Sequence, residues 1–150
     1  MTIYFFDSSA IGKRYMTEDG SSWVRSLVAP NAEHVIILSR LAIVEISSAL
    51  ARKQRFGQIA PADALQRRTD FLLHVEKLYL TVPLDEAVLQ RANDLIGKYP
   101  LRSLDALQLA CAVEATTTLG EPNIFVCSDN NLLAAAAAEG FATDNPLDHP

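Results

Sequence analysis

The sequence predicts an α/β domain in which a parallel sheet carries helices on both faces. Three observations predict it. Short runs of apolar, aromatic and β-branched residues alternate with longer helical segments along the 150-residue chain, the pattern that gives a parallel sheet. Those runs are apolar throughout rather than alternately polar, as strands buried on both faces are. Two of them, Ile3-Tyr4-Phe5-Phe6 and Ile124-Phe125-Val126-Cys127, end abruptly in paired Ser and Asp residues. In open parallel sheets that edge, the carboxyl end of the strands, is where ligands gather.

Residues 2–6 form the first strand, and residues 8–15 a short helix. Residues 18–22 make a turn rich in capping residues, and residues 22–29 a helix closed by Pro30. Residues 34–38 are the second strand. Ser39 then caps a helix over 40–56 that Gly57 ends. Pro61 suits a first helical turn and opens a helix running to about 78. Residues 79–82 are a short strand, and 85–98 a helix broken by Pro100. Ser103 is the expected cap of a helix over 104–117. A strand over 123–127, an alanine-rich helix over 130–139 ending at Gly140, and an edge strand over 141–143 complete the chain. No repeat or linker interrupts it, so residues 1–150 read as a single domain.

Hydrophobic residues make up 49% and charged residues 21% of the chain, a balance that excludes a disordered polymer. No apolar run reaches the ~20 residues of a membrane helix, and no basic segment precedes an apolar leader. The expectation is a cytoplasmic protein without membrane association. Cys111 and Cys127 lie in apolar segments without CxxC spacing and read as reduced core residues. His34, His74 and His149 show no zinc-binding spacing. The net charge of −5 is unevenly distributed: residues 1–102 hold all 13 Lys and Arg against eleven acids, whereas residues 103–150 hold seven acids and no Lys or Arg. The basic pairs Lys13-Arg14 and Arg67-Arg68 and the cluster Arg52-Lys53-Gln54-Arg55 read singly as solvated helix faces; as a set they would frame an acidic centre with phosphate contacts.

Four acids stand in apolar surroundings. Asp7 and Asp129 follow strands, and each suits either a helix N-cap or a ligand site at the sheet edge. Glu45 sits in Leu41-Ala42-Ile43-Val44-Glu45-Ile46, on a face without other polar residues nearby; a lone carboxylate there is costly, which calls for a metal, a cation or an ion pair with Arg52. Asp105 falls in the first turn of a helix that is apolar from 104 to 113 but for itself and Gln108. Helix-dipole stabilisation is one account of it, a site another. Four converging carboxylates require a shared cation. An oxygen-only set selects Mg²⁺ or Mn²⁺, whose usual work is phosphodiester chemistry.

These residues give the chain its resemblance to PIN-domain ribonucleases, and more narrowly to the VapC-type toxins. It rests on Phe6-Asp7-Ser8-Ser9, on Leu41-Ala42-Ile43-Val44-Glu45, on Leu104-Asp105-Ala106-Leu107-Gln108-Leu109-Ala110 and on Ser128-Asp129 before Leu132-Leu133. The four pieces occur in order and span nearly the whole chain. The resemblance implies a three-layer α/β/α sandwich and a metal-dependent endoribonuclease. It makes Asp7, Glu45, Asp105 and Asp129 the catalytic and Mg²⁺/Mn²⁺-binding acids, with Ser8 supporting the pocket. It also implies a homodimer that cuts RNA and is inhibited by a small cognate antitoxin protein. Asn131 stands where some relatives offer a further carboxylate, which leaves a second ion open.

The principal alternative is a non-catalytic module of the same fold that binds RNA or a protein partner. A phosphoacceptor receiver domain would carry adjacent acids after the first strand and a late Lys, and no Lys follows Lys98. A haloacid-dehalogenase phosphatase would carry Asp-x-Asp where this chain has Asp7-Ser8-Ser9.

Overall fold

The apolar runs of the sequence form five parallel strands, and the segments between them form seven helices. The computed structural model describes all residues from Met1 to Pro150. In chain order the elements are β1 (Ile3–Phe6), α1 (Ser8–Tyr15), α2 (Ser21–Val28), β2 (Val35–Ser39), α3 (Leu41–Arg55), α4 (Pro61–Lys77), β3 (Leu80–Val82), α5 (Glu86–Lys98), α6 (Ser103–Leu119), β4 (Ile124–Val126), α7 (Asn130–Ala138) and β5 (Ala142–Asp144). The strands are ordered β3-β2-β1-β4-β5, every neighbouring pair parallel.

Alternation along the strands divides the core between the two faces of the sheet. Phe5, Ile37 and Phe125 point to one side and pack with Val88, Leu95, Leu109 and Leu132 of α5, α6 and α7. Phe6, Leu38 and Val126 point to the other and pack with Ile11, Val24, Ile46 and Phe71 of α1 to α4. The result is a three-layer α/β/α sandwich. Phe5 and Phe125 stack with ring centroids 5.6 Å apart. Phe5 and Phe6 are both fully buried, each stabilising the fold by roughly 1.5–3 kcal/mol. No helix is long and apolar enough to cross a membrane.

Backbone bonds level the strand ends. Asp7 N donates to Val126 O (3.1 Å), Cys127 N to Asp144 O (3.2 Å) and Arg40 N to Val82 O (3.0 Å). Phe6 pairs with Val126, and Phe5 with Ile37, so the residues that leave β1, β2 and β4 emerge at one edge. Ser39 does not take the cap position of α3 that the sequence predicts for it: Arg40 holds that position without a side-chain bond, and Ser39, the last residue of β2, supports the helix start from one residue earlier, its Oγ accepting from Leu41 N at 3.0 Å. Ser103 does not cap α6. It is already helical, and Arg102 takes the cap position without a side-chain bond. The sequence reading misplaces this boundary by one residue because serine suits both the cap and the first turn. Compensation for the first-turn N–H groups comes instead from Asp105, two residues on.

At the start of α2 the chain needs glycine. Gly20 has φ +88°, and a Cβ there would lie 2.5 Å from the Pro146 carbonyl oxygen. This close approach seats the C-terminal segment on α2, where His149 stacks on Trp23 at 4.1 Å and bonds to Asp144 Oδ1 at 2.9 Å.

Candidate active site

Asp7 leaves β1 in extended conformation and caps α1: its Oδ1 accepts from Ala10 N at 3.0 Å and from Ser9 Oγ at 2.7 Å. Capping does not exhaust its role, because the side chain is buried (6% exposed) and its carboxyl is pushed from 3.8 up to about 7. Burial is the main cause. Hydrogen bonds from Ser9, Ala10 and Cys127 oppose it, and the charge of Glu45 adds to it. Asp7 and Glu45 therefore sense one another across β1 and α3.

Glu45 pairs with no cation. Its Oε1 accepts from Ser8 Oγ (2.7 Å) and from Gln108 Nε2 (2.9 Å), and Gln108 Nε2 also reaches Ser8 Oγ at 2.9 Å. The ion pair with Arg52 considered from the sequence does not form. The three-way contact joins α1, α3 and α6 at the carboxyl edge of the sheet. Gln108 is a residue that the sequence reading noted only as a polar exception in an apolar helix. The signal that identifies it is its spacing: three residues after Asp105, it shares that residue's helix face.

Asp105 stands one turn before Gln108. Its carboxylate makes a 3.6 Å ion pair with Arg102 and no hydrogen bond to the other three acids. Asp129 caps α7, its Oδ1 accepting from Asn131 N (2.8 Å) and Leu132 N (3.1 Å). Its strand end is tied to that of Asp7, because Ser128 N donates to Ser9 Oγ at 3.1 Å and Ser9 in turn donates to Asp7. Asn131 turns its amide to Pro100 O (2.9 Å) and is exposed, so it holds the α5–α6 turn. Cys127, in the core, has its thiol pushed upward, chiefly by burial and then by the charge of Asp7; Cys111, hydrogen-bonded to Ser39, is pushed up to about 11, chiefly by burial. Both are free thiols, and neither has the electropositive surroundings of a reactive one.

The structure thus places two of the four acids in electrostatic contact and the other two beside their supporting residues. No three Asp, Glu, His or Cys side chains stand ready around one point. The donor chemistry nonetheless fits a hard divalent cation. The set is oxygen-only, an ion would offset the burial and, less, the charge of Glu45 that together hold the Asp7 carboxyl up, and two buried oxygens, Gln108 Oε1 and Ser128 Oγ, have no hydrogen-bond partner.

This arrangement of acids at the carboxyl edge of a five-stranded parallel sheet defines an acid-centred α/β/α domain. The chain belongs to the PIN domain family, whose model matches residues 4–138. It is 32% identical over 144 residues to Ribonuclease VapC45 of Mycobacterium tuberculosis, covering 93% of each chain. Among solved structures, VapBC2 from Rickettsia felis bound to a DNA fragment from its promoter shares the fold with a TM-score of 0.65 at 10% identity, over 96% of this chain and 98% of that one. A second is VapBC-5 of Mycobacterium tuberculosis, a member of the VapBC family of toxin–antitoxin systems, with a TM-score of 0.56 at 14% identity over 97% and 98%.

Proposed function

We propose that this protein is a Mg²⁺- or Mn²⁺-dependent endoribonuclease, the toxin of a toxin–antitoxin pair. The observation that carries the reading is the joining of Ser8, Glu45 and Gln108 from three helices beside buried Asp7, in a chain similar along 93% of its length to a ribonuclease. Asp7, Glu45, Asp105 and Asp129 would hold the ion and are the catalytic residues of this reading. When bound, a divalent cation supplies charge stabilisation at the phosphate and at the leaving oxygen. The chain's own residues prepare the site. Ser9 and the Ala10 amide fix the rotamer of Asp7, Ser8 and Gln108 fix that of Glu45, and the helix start at Asp129 holds its carboxylate by two N–H bonds. Such fixing places the groups before the substrate arrives.

RNA is the proposed substrate, a small cognate antitoxin protein the proposed inhibitor and a homodimer the proposed working form. Antitoxin control is supported by the fold shared with toxin–antitoxin proteins and by the surplus of acids in residues 103–150, which suits an arginine from the inhibitor. The test is cleavage of total RNA by purified protein. EDTA should abolish it, Mg²⁺ or Mn²⁺ should restore it, and the co-purified product of the neighbouring gene should suppress it. Cleavage that survives thorough chelation would refute the metal mechanism. RNA binding without cleavage under any metal would favour the non-catalytic module.

A further inference from the structure

Away from the acids, α1, α2 and α4 border an open polar cavity of about 290 Å³. Three arginines from three different helices line it: Arg14, Arg25 and Arg67. Arg14 lies in the last turn of α1, the helix that Asp7 caps, roughly 9–10 Å further along the helix axis at 1.5 Å per residue. Of the acids, only Asp70 lines the cavity with them, so the wall carries a surplus of two positive charges.

These guanidinium groups are held in place by neutral oxygens. Arg14 Nη1 donates to Tyr79 Oη at 2.7 Å, Arg67 Nη1 to Tyr15 O at 3.1 Å, and Arg25 to Arg14 O and Thr17 Oγ1, both at 3.4 Å. No carboxylate lies within 4.0 Å of any of them, for none takes part in an ion pair of the protein. Behind them the hydroxyls of Tyr79 and Tyr15 meet at 2.6 Å, and that of Tyr15 meets His74 Nδ1 at 2.8 Å. If each hydroxyl donates once, the bonds run from Arg14 to Tyr79, on to Tyr15 and then to His74. The chain of bonds holds Arg14 rigid while leaving most of its donors free. Positioned arginines with unpaired charge and free planar donors bind phosphate oxygens well, and prior ordering removes much of the entropic cost of binding.

We propose that this cavity is a phosphate-binding site, formed by Arg14, Arg25 and Arg67 with His74 at its wall. A phosphate dianion matches the surplus charge. The group belongs either to an RNA strand or to a small phosphate compound, and only the first of these rests on the ribonuclease reading.

The probe is inorganic phosphate, titrated at constant ionic strength into full-length protein labelled with [¹³C]histidine and read by NMR. Of three histidines, His74 is expected to shift saturably with phosphate and not with chloride. Arg25→Gln and Arg67→Gln should each weaken binding by ~10-fold or more, the loss of a charge-assisted hydrogen bond, whereas Arg91→Gln, on α5, should not. Arg25 is exposed, so its variant keeps the fold if Arg67→Gln does not. A second arm adds a short RNA to Asp7→Asn protein carrying phosphate: displacement identifies the strand as the source, and persistence of the phosphate signal identifies a small compound. A His74 response equal for chloride and phosphate, or Arg25→Gln protein that binds as the parent does, overturns the site. Neither readout involves cleavage, so failure here and failure of the ribonuclease reading are separate results.

Discussion

At the scale of single residues, Asp7 and Asp105 bear their charges very differently. Asp7 is buried and its carboxyl is raised to about 7. An acid whose pKa is higher folded than unfolded binds its proton more tightly in the native state, so its contribution runs opposite to the usual carboxylate. Stability is greatest below about pH 4, where both states hold the proton, falls as the pH rises from about 4 to about 7, and changes no further above that. The shift from 3.8 to about 7 corresponds to a loss on the order of 4 kcal/mol. Asp7→Asn keeps the oxygen that accepts from Ser9 and Ala10 while removing the charge. In EDTA it should be more stable than the parent at pH 8, similar at pH 4, and inactive. Urea titrations of both proteins at the two pH values decide this; a parent whose stability does not fall between them would show that Asp7 is not held above the ordinary range. Asp105 has a side chain 22% exposed and an arginine 3.6 Å away. Removing its charge relieves little repulsion, so Asp105→Asn should cost cleavage while moving the melting temperature in EDTA by far less than Asp7→Asn does. Mg²⁺ should stabilise the parent by mass action and either variant much less.

At the scale of elements, the same edge is read by sequence with uneven success. β1 and β4 were legible because each is an unbroken apolar run stopped by Ser and Asp, and α3 because its helical spacing leaves Glu45 without polar company. The contact that organises the site was not legible: Gln108 meets residues 63 and 100 positions away, and an amide in an apolar helix looks the same whether it supports a site or satisfies the core. Nor could the sequence show that Arg67 would reach the carbonyl of Tyr15, 52 positions distant. The α2 start is a further case. Gly20 appears in the sequence as an ordinary turn glycine, yet its positive φ and its contact with Pro146 make it the seat of the C-terminal segment. Gly20→Ala should cost about 1–2 kcal/mol for the left-handed backbone alone, with more for displacing Pro146. The only tryptophan, Trp23, stacks on His149, so its fluorescence reports the seating directly. The variant's native-state emission should resemble that of a chain truncated before His149, and its urea midpoint should fall. Unaltered emission would mean that the segment does not depend on the glycine.

At the scale of the whole molecule, exposed apolar side chains flank two of the acids in sequence and form the edge, or rim, of their helices. Val44 precedes Glu45 and is 62% exposed; Leu104 precedes Asp105 and is 50% exposed; Ile96, on the helix leading into the same turn, is 44% exposed. Single exposed apolar residues are ordinary, but ones that adjoin site acids on two helices are candidates for a surface that another protein covers. A second copy is the covering partner expected from the proposed homodimer, and a two-fold contact would set the same patch of each chain against the other. Charges introduced into this rim test that arrangement without damaging the core. Leu104 lies in the first turn of α6, where a glutamate is favoured by the helix dipole, and Val44 is the fourth residue of α3 and solvent-facing, where lysine is a good helix former. The double variant Val44→Lys, Leu104→Glu should therefore keep its circular dichroism spectrum. By light scattering the parent should have twice the chain mass of 16.4 kDa and the variant the single mass. A parent that is monomeric at micromolar concentration, or a variant that remains dimeric, would place the contact elsewhere and leave the rim to the antitoxin. In that event the variant should lose co-purification with the neighbouring gene product while its own mass stays the same.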